Sequence, residues 1–298
     1  MLLRRRSLET LARMSKMNAT LDKNGKWAHV SIPTLHSIDS FDFSGILTTW
    51  QLQALMTKAR MFAFHMPSKD TGDTFLQYDK LTADRFTFMA SVKTTVSRSY
   101  YDIPELPVSP SMRVSLCLGY IGTSSLSTAA NLNCEETGEV FVHNVNQVVS
   151  VDKTTRKPTP LPDWWRTKYA SAVVGNERLV IPRFSQPDKV HMYECKIPWS
   201  DVDMYRHTNY VAYIRYSIDC AMDGILTGAY SNFTNTQSQY LIKDTNIAFY
   251  NESVPNDVLQ VASWEDKDNP YILRFDGTKD GKTIFQNSIE FYPEKSSL

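Results

Sequence analysis

Two hydrophobic spacings alternate along this chain, and the alternation occurs twice. Leu52, Leu55, Met56, Ala59 and Ala63 recur at three- and four-residue intervals, which lines them up on one face of an α-helix. A short strand is predicted just ahead of them, over His29 to His36. Further on, Phe141, Val145, Val149 and Val151 fall at even spacings, as on one face of a strand. The second half repeats the plan. A strand is predicted from Val190 to Trp199, and Tyr210, Tyr213, Ile214, Ser217, Ile218, Ala221 and Ile225 trace a helical stripe. Gly224 and Gly228 offer places for that helix to stop, and Phe285, Asn287, Ile289 and Phe291 return to a period of two.

Turn residues punctuate both halves. Glu135-Glu-Thr-Gly-Glu139 and Gly277-Thr-Lys-Asp-Gly281 each place a glycine-containing turn before the last strand of a half. Between the halves, the prolines of Thr154 to Pro162 rule out a helix or an interior strand there. Trp164 and Trp165 then open a short linker helix expected to pack at the seam. The predicted class is α+β, each half an antiparallel sheet wrapped around a long central helix. The expected limits are a basic extension over 1–26, a first domain over 27–163, a linker over 164–188 and a second domain over 189–298.

Composition narrows the function. Lys+Arg and Asp+Glu stand at 32 each, so no net field draws in nucleic acid or an anionic membrane, and an anionic ligand must be held by a local patch. Aromatic residues do not alternate with Lys and Arg in a stripe, which argues against single-strand nucleic-acid binding. Cys117, Cys134, Cys195 and Cys220 are widely spaced and are expected to be free thiols in a reducing compartment. No apolar run reaches the ~18 residues of a membrane span, so an intracellular location, cytoplasmic or mitochondrial, is expected. Arg4, Arg5, Arg6, Arg13 and Lys16, interleaved with leucines, fit a mitochondrial transit peptide or a basic extension. A nucleophile elbow, a phosphate-binding glycine loop, a dinucleotide fingerprint and metal-ligand spacing are all missing from the sequence, so neither a metal nor another cofactor is expected.

The chemistry concentrates in Ile197-Pro-Trp-Ser-Asp201-Val-Asp203-Met-Tyr205-Arg206-His207-Thr-Asn209-Tyr-Val-Ala-Tyr213. This segment resembles the signature of the hotdog thioesterases, Trp-x-Asp-x-Asp-x-x-Gly-His-x-Asn-Asn-x-x-Tyr, where the first strand gives way to the central helix. Within that superfamily it is most similar to the double-hotdog acyl-ACP thioesterases. The resemblance implies a tandem hotdog fold, hydrolysis of acyl-CoA or acyl-ACP thioesters, and a catalytic second repeat in which Asp203 and His207 are joined by Glu252 from the following strand region. The family's Asn position holds Tyr205, a bulkier group with a single hydroxyl. Its glycine position holds Arg206, so the bend into the helix must be made without glycine. Asp42, in Asp42-Phe-Ser-Gly45-Ile-Leu of the first half, resembles the aspartate that single-hotdog thioesterases of the hydroxybenzoyl-CoA type place ahead of a glycine at the helix start.

Thioester hydrolysis needs donors at a developing oxyanion, which a helix N-terminus offers, and an activated water or nucleophile, which carboxylates beside a histidine can supply. Glu252 and His207 are expected to activate water, with Asp203 orienting them or attacking the thioester. Asn209, Tyr205, Arg206 and Asp42 are candidates for substrate binding. Asp201 and Asn209 flank the helix start, and Asp201 is expected to cap it. Two other readings stay open: a non-catalytic binder of acyl thioesters or acyl carriers, suggested by Tyr205 and Arg206, and a hydratase or dehydratase, since fold does not fix function. Two fused repeats should mimic a hotdog dimer, which leaves a pseudo-dimeric monomer or a homodimer of such units.

Overall fold

The structure is a computed structural model that describes residues 18–22, 24–32, 48–68, 71–103, 111–175, 178–203, 205–234 and 240–293. Asp42 and the basic residues of the first 17 positions lie outside them. The strands of the first half are β1 (Asn18–Leu21), β2 (Trp27–Ile32), β3 (Arg85–Val96), β4 (Met112–Ile121), β5 (Ser125–Cys134) and β6 (Val140–Asp152), and those of the second are β7 (His191–Lys196), β8 (Ile242–Phe249), β9 (Val258–Glu265), β10 (Ile272–Lys279) and β11 (Lys282–Phe291). All eleven join one sheet in the order β1-β2-β4-β5-β6-β3-β8-β11-β10-β9-β7. The halves meet where β3 pairs antiparallel with β8, from Ser91 opposite Ala248 to Thr95 opposite Asp244. Side chains reinforce the seam: Thr95 Oγ1 donates to Asp244 Oδ2 at 2.7 Å, and Tyr292 Oη donates to the Val96 carbonyl at 2.8 Å.

Each half packs a 17-residue helix against this sheet, α1 (Thr49–His65) in the first and, after the short helices α2 (Tyr78–Leu81) and α3 (Asp163–Tyr169), α4 (Tyr210–Leu226) in the second. The predicted stripes are the buried faces. Leu52, Met56, Ala59 and Ala63 enter the first core, and Tyr213, Ile214, Ala221 and Ile225 the second. Burial of these faces is the main stabilising contribution to both helices, because isolated helices of this length are marginal in water. This is the tandem arrangement of helix-filled antiparallel sheets that the hydrophobic spacing predicts.

Several details differ from the sequence reading. Residues 18–21, assigned to the extension, form an edge strand on β2. Gly224 does not end α4; it lies inside the helix, where a Cβ would meet the Tyr230 ring, and Gly228 at φ +71° follows the helix end instead. Trp165 is fully buried in the first core, its indole donating to the Leu76 carbonyl at 2.8 Å, while Trp164 is exposed. The predicted hairpin turn between β10 and β11 is made by Asp280 and Gly281, both at positive φ, the conformation a tight hairpin requires. Downstream of α3 the chain bonds in turn to both halves of the sheet. Leu179 binds Gln147 and Ser91 of the first half, and Phe184 exchanges two hydrogen bonds with Gln286 of the second.

Candidate active site

The motif segment folds as a tight turn between β7 and α4. The Arg206 amide donates to the Asp203 carbonyl at 3.0 Å, and the Asp203 amide to the His207 carbonyl at 2.9 Å. Asp203 Oδ1 accepts from the Tyr205 amide at 2.8 Å, a side-chain-to-backbone bond typical of aspartate in turns. Arg206, at the family's glycine position, adopts φ +67°, so the glycine-like bend persists on a residue with a Cβ. Its side chain is exposed and is not part of the cavity wall described below.

The helix that follows is capped by Asn209, whose Oδ1 accepts from the Val211 amide at 3.0 Å. Asp201 does not cap the helix, contrary to the expectation above. Its buried carboxylate accepts from Arg215 and, at 2.6 Å, from Tyr216 Oη, while its carbonyl accepts from the Asn209 amide at 2.8 Å. Asp201 therefore fixes the angle at which the turn enters α4, through partners one helical face further along.

A second segment, the loop between β8 and β9, docks onto this turn. The Thr208 amide donates to the Ser253 carbonyl at 2.9 Å, and the buried Ser253 hydroxyl pairs with Thr208 Oγ1 at 2.8 Å and Tyr213 Oη at 2.7 Å. These bonds bring the preceding residues together: His207 Nε2 lies 3.2 Å from Glu252 Oε2. Glu252 is also gripped from the first half. Arg156 Nη2 donates to both of its carboxylate oxygens, at 2.7 and 2.8 Å, while the Arg156 guanidinium lies over the Phe88 ring. The sequence reading missed Arg156, treating its segment only as the exit from the first half; the only sequence signal was a cation among the turn residues Thr154 to Pro162, and the structure places it at φ +55°.

Asp203, His207 and Glu252 all line one cavity of about 820 Å³, whose walls come from α1, β3, β5 and β6 as well as from the motif. Tyr205 and Asn209 line it too, Tyr205 edge-on against Phe86. Burial, the largest influence, raises the pKa of Asp203, and the nearby Glu252 charge adds to this. The Tyr205 and His207 amides and the His207 side chain offset part of the rise. His207 and Glu252 side chains are 24 % and 43 % exposed, so the cavity opens to solvent at the end they line. Among the described residues no cluster of three or more His, Cys, Asp or Glu is arranged to hold a metal ion, and no helix is long and apolar enough to cross a membrane. All four cysteines are free thiols.

No family model matches the chain, and no curated protein matches it in sequence. Solved structures do. The 12:0-ACP thioesterase from Umbellularia californica superposes with a TM-score of 0.68 at 15 % identity, the match covering 90 % of this chain and 98 % of that one. An acyl-ACP thioesterase from Bacteroides thetaiotaomicron superposes with a TM-score of 0.65 at 14 % identity, covering 91 % of this chain and all of its own. At that coverage each match takes in most of both halves, so the shared feature is the two-repeat architecture. The chain has the double-hotdog fold, the one on which these acyl-ACP thioesterases are built.

Proposed function

We propose that the protein hydrolyses acyl thioesters, carried on CoA or acyl carrier protein, to a free acid and a thiol. The observation that carries this reading is the convergence of Asp203, His207 and Glu252 on one cavity, with His207 Nε2 3.2 Å from Glu252 at the approach to the N-terminus of α4. A carboxylate at Nε2 selects the tautomer with its proton there, leaving Nδ1 as the acceptor. Nδ1 takes a proton from water, and the resulting hydroxide attacks the thioester carbonyl carbon. The C–S bond of the tetrahedral intermediate then breaks, and the imidazolium returns the proton to the departing thiolate. Asp203 accepts a hydrogen bond from the other O–H of the water, which keeps that hydrogen, and so aims its oxygen at the carbonyl. The positive end of α4 favours the charge that develops on the carbonyl oxygen.

The test is product release from acyl-CoA and acyl-ACP thioesters of graded length, with His207→Ala alongside and enoyl thioesters included to detect hydration. Hydrolysis by the wild type that falls about 10²- to 10⁴-fold in the variant is expected. Turnover retained by both His207→Ala and Asp203→Ala would sink the assignment. A second reading, a binding protein for acyl thioesters, is favoured by Tyr205 at the cavity wall and by the hold of Arg156 on both Glu252 oxygens. Tight binding of a non-hydrolysable thioester without release of product from the natural one would support it. The two repeats, fused through one sheet, are proposed to act as their own dimer in an intracellular compartment. Sedimentation as a 34.1 kDa monomer would agree with that self-sufficiency.

A further inference from the structure

Arg60 lies on α1 with 5 % of its surface exposed, yet it faces the cavity. Two of its nitrogens are engaged with neutral groups: Nε donates to Thr128 Oγ1 at 3.0 Å and Nη2 to Asn144 Oδ1 at 2.8 Å. The third, Nη1, is buried without a partner among the described residues. Among the described residues, the influences that favour its charge come from Tyr210, Tyr78 and Cys117, and none from a carboxylate. A guanidinium stays protonated in a protein, so this is a buried cation with no anion beside it among the described residues.

Asn146 is the second anomaly. It is 1 % exposed, lines the same cavity, and neither its Nδ2 nor its Oδ1 has a partner among the described residues. It stands directly across from Thr128 in the β5–β6 register and two residues along β6 from Asn144, the two residues that hold Arg60. Unpartnered polar atoms of both side chains thus belong to one stretch of wall. Apolar side chains such as Phe64, Leu126 and Val148 make up neighbouring parts of the lining. A plain hydrocarbon tail would leave Arg60 Nη1 and the Asn146 amide without partners among the described residues, an arrangement that proteins otherwise avoid.

We propose that the cavity accepts an acyl chain bearing a second, distal carboxylate, which takes hydrogen bonds from Arg60 Nη1 and Asn146 Nδ2. The substrate class is then the monothioester of a dicarboxylic acid. This rests on the thioesterase reading and specifies the acyl group. Thr57, three residues before Arg60, pairs with Tyr210 Oη at 2.5 Å at the start of α4. Arg60 therefore stands about one helical turn of α1 from a residue that touches the first residue of α4.

The experiment compares ω-carboxyacyl-CoA with methyl-ended acyl-CoA of matched length, from four to twelve carbons, in wild type, Asn146→Leu and Arg60→Met. In parallel, calorimetry measures binding of free octanedioate and octanoate, which needs no hydrolysis. A charge-assisted pair at a buried site should give a kcat/KM ratio of about 10- to 100-fold in favour of the ω-carboxylate at the best length. That ratio should collapse in Arg60→Met and shrink severalfold in Asn146→Leu. The Asn146 side chain donates and accepts no bond among the described residues, so its replacement reads the site even where Arg60→Met fails to fold. A ratio near one at every length, with methyl-ended chains hydrolysed normally, overturns the proposal and leaves the thioesterase reading intact. If neither class is hydrolysed, the thioesterase reading fails and calorimetry decides. Octanedioate at least tenfold tighter than octanoate upholds the carboxylate site, and equal binding removes it.

Discussion

The turn that carries the catalytic candidates contains its own strain gauge in Arg206. A residue with a Cβ at φ +67° pays about 1–2 kcal/mol relative to the right-handed region, because the Cβ approaches the following carbonyl. Glycine would relieve that strain but also enlarge the entropy of the unfolded chain, a loss of about 0.4–1 kcal/mol. The Arg206 side chain makes no hydrogen bond or ion pair with a described residue and is exposed, so its removal forfeits little. The difference leaves Arg206→Gly more stable by about 0.5–1 kcal/mol, which in a chain of this size amounts to roughly 1–4 °C in Tm. Arg206→Ala is the control, since it deletes the side chain and keeps the strain, and its stability should stay within about 0.5 kcal/mol of wild type. Both are read by urea unfolding and thermal melting, with thioesterase activity as a check that the turn is preserved. An equal gain in Ala and Gly would refute the reasoning, because it would trace the effect to the side chain; a loss in Gly would mean that the positive φ is not strained.

Three further outcomes follow from the same site and its scaffold. Because burial raises the pKa of Asp203 in the folded protein, the native state binds its proton more tightly than the unfolded chain does. The resulting stability is full below the unfolded value of ~4 and is lost as pH rises through the folded value. Asp203→Asn, which mimics the protonated form, should therefore be more stable than wild type at pH 7 and no more stable at about pH 3; urea titrations at both pH values check this, and a gain that persists in acid contradicts it. Arg156→Gln removes the clamp on Glu252 at a solvent-accessible pair, so stability should change by less than about 1 kcal/mol while kcat falls about tenfold or more; a large stability loss with unchanged kcat would make Arg156 merely structural. Gly277→Ala places a methyl 2.1 Å from a Phe285 ring carbon in the second core, and overpacking should cost about 1–3 kcal/mol in denaturant unfolding, whereas a neutral result would show that the ring yields freely.

The parts of this architecture legible in the sequence are those with local periodicity. The α1 and α4 stripes are read correctly because each buries one continuous face, and the Asp203–His207 segment is recognisable because its spacing is contiguous. What escaped depends on partners far along the chain. Arg156 meets Glu252 across 96 positions, from a proline-rich segment that offers no periodicity at all. Asp201 carries the local signature of a cap, but Arg215 and Tyr216, brought alongside by the helix, claim its carboxylate. Arg60 did leave a signal: Gln53, Thr57 and Arg60 recur at helical spacing beside the apolar stripe, a pattern that also fits an ordinary solvated face. Only the sheet curving around α1 distinguishes the two, by burying Gln53 and Arg60.

That buried polar row also explains how two repeats of one plan can divide a single task. Arg60 binds Asn144; Asn144 Nδ2 donates to Gln53 Oε1 at 3.1 Å; Gln53 Nε2 donates to Tyr210 Oη at 3.2 Å, which also pairs with Thr57. The chain of bonds starts at the cavity wall of the first half and ends on the first residue of α4, beside the Asn209 cap. In a symmetric dimer of identical repeats every such residue would occur twice, and a cation placed to meet one end of a substrate would be repeated beside the other catalytic turn. Fusion removes that constraint. The first half can hold Arg60 and Arg156 at the cavity, and the second can carry the Asp203–His207 turn, while the corresponding first-half segment Asp42-Phe-Ser-Gly45-Ile-Leu contains no histidine. The specificity proposed for Arg60 therefore depends on the covalent joining of the halves as much as on the side chain itself.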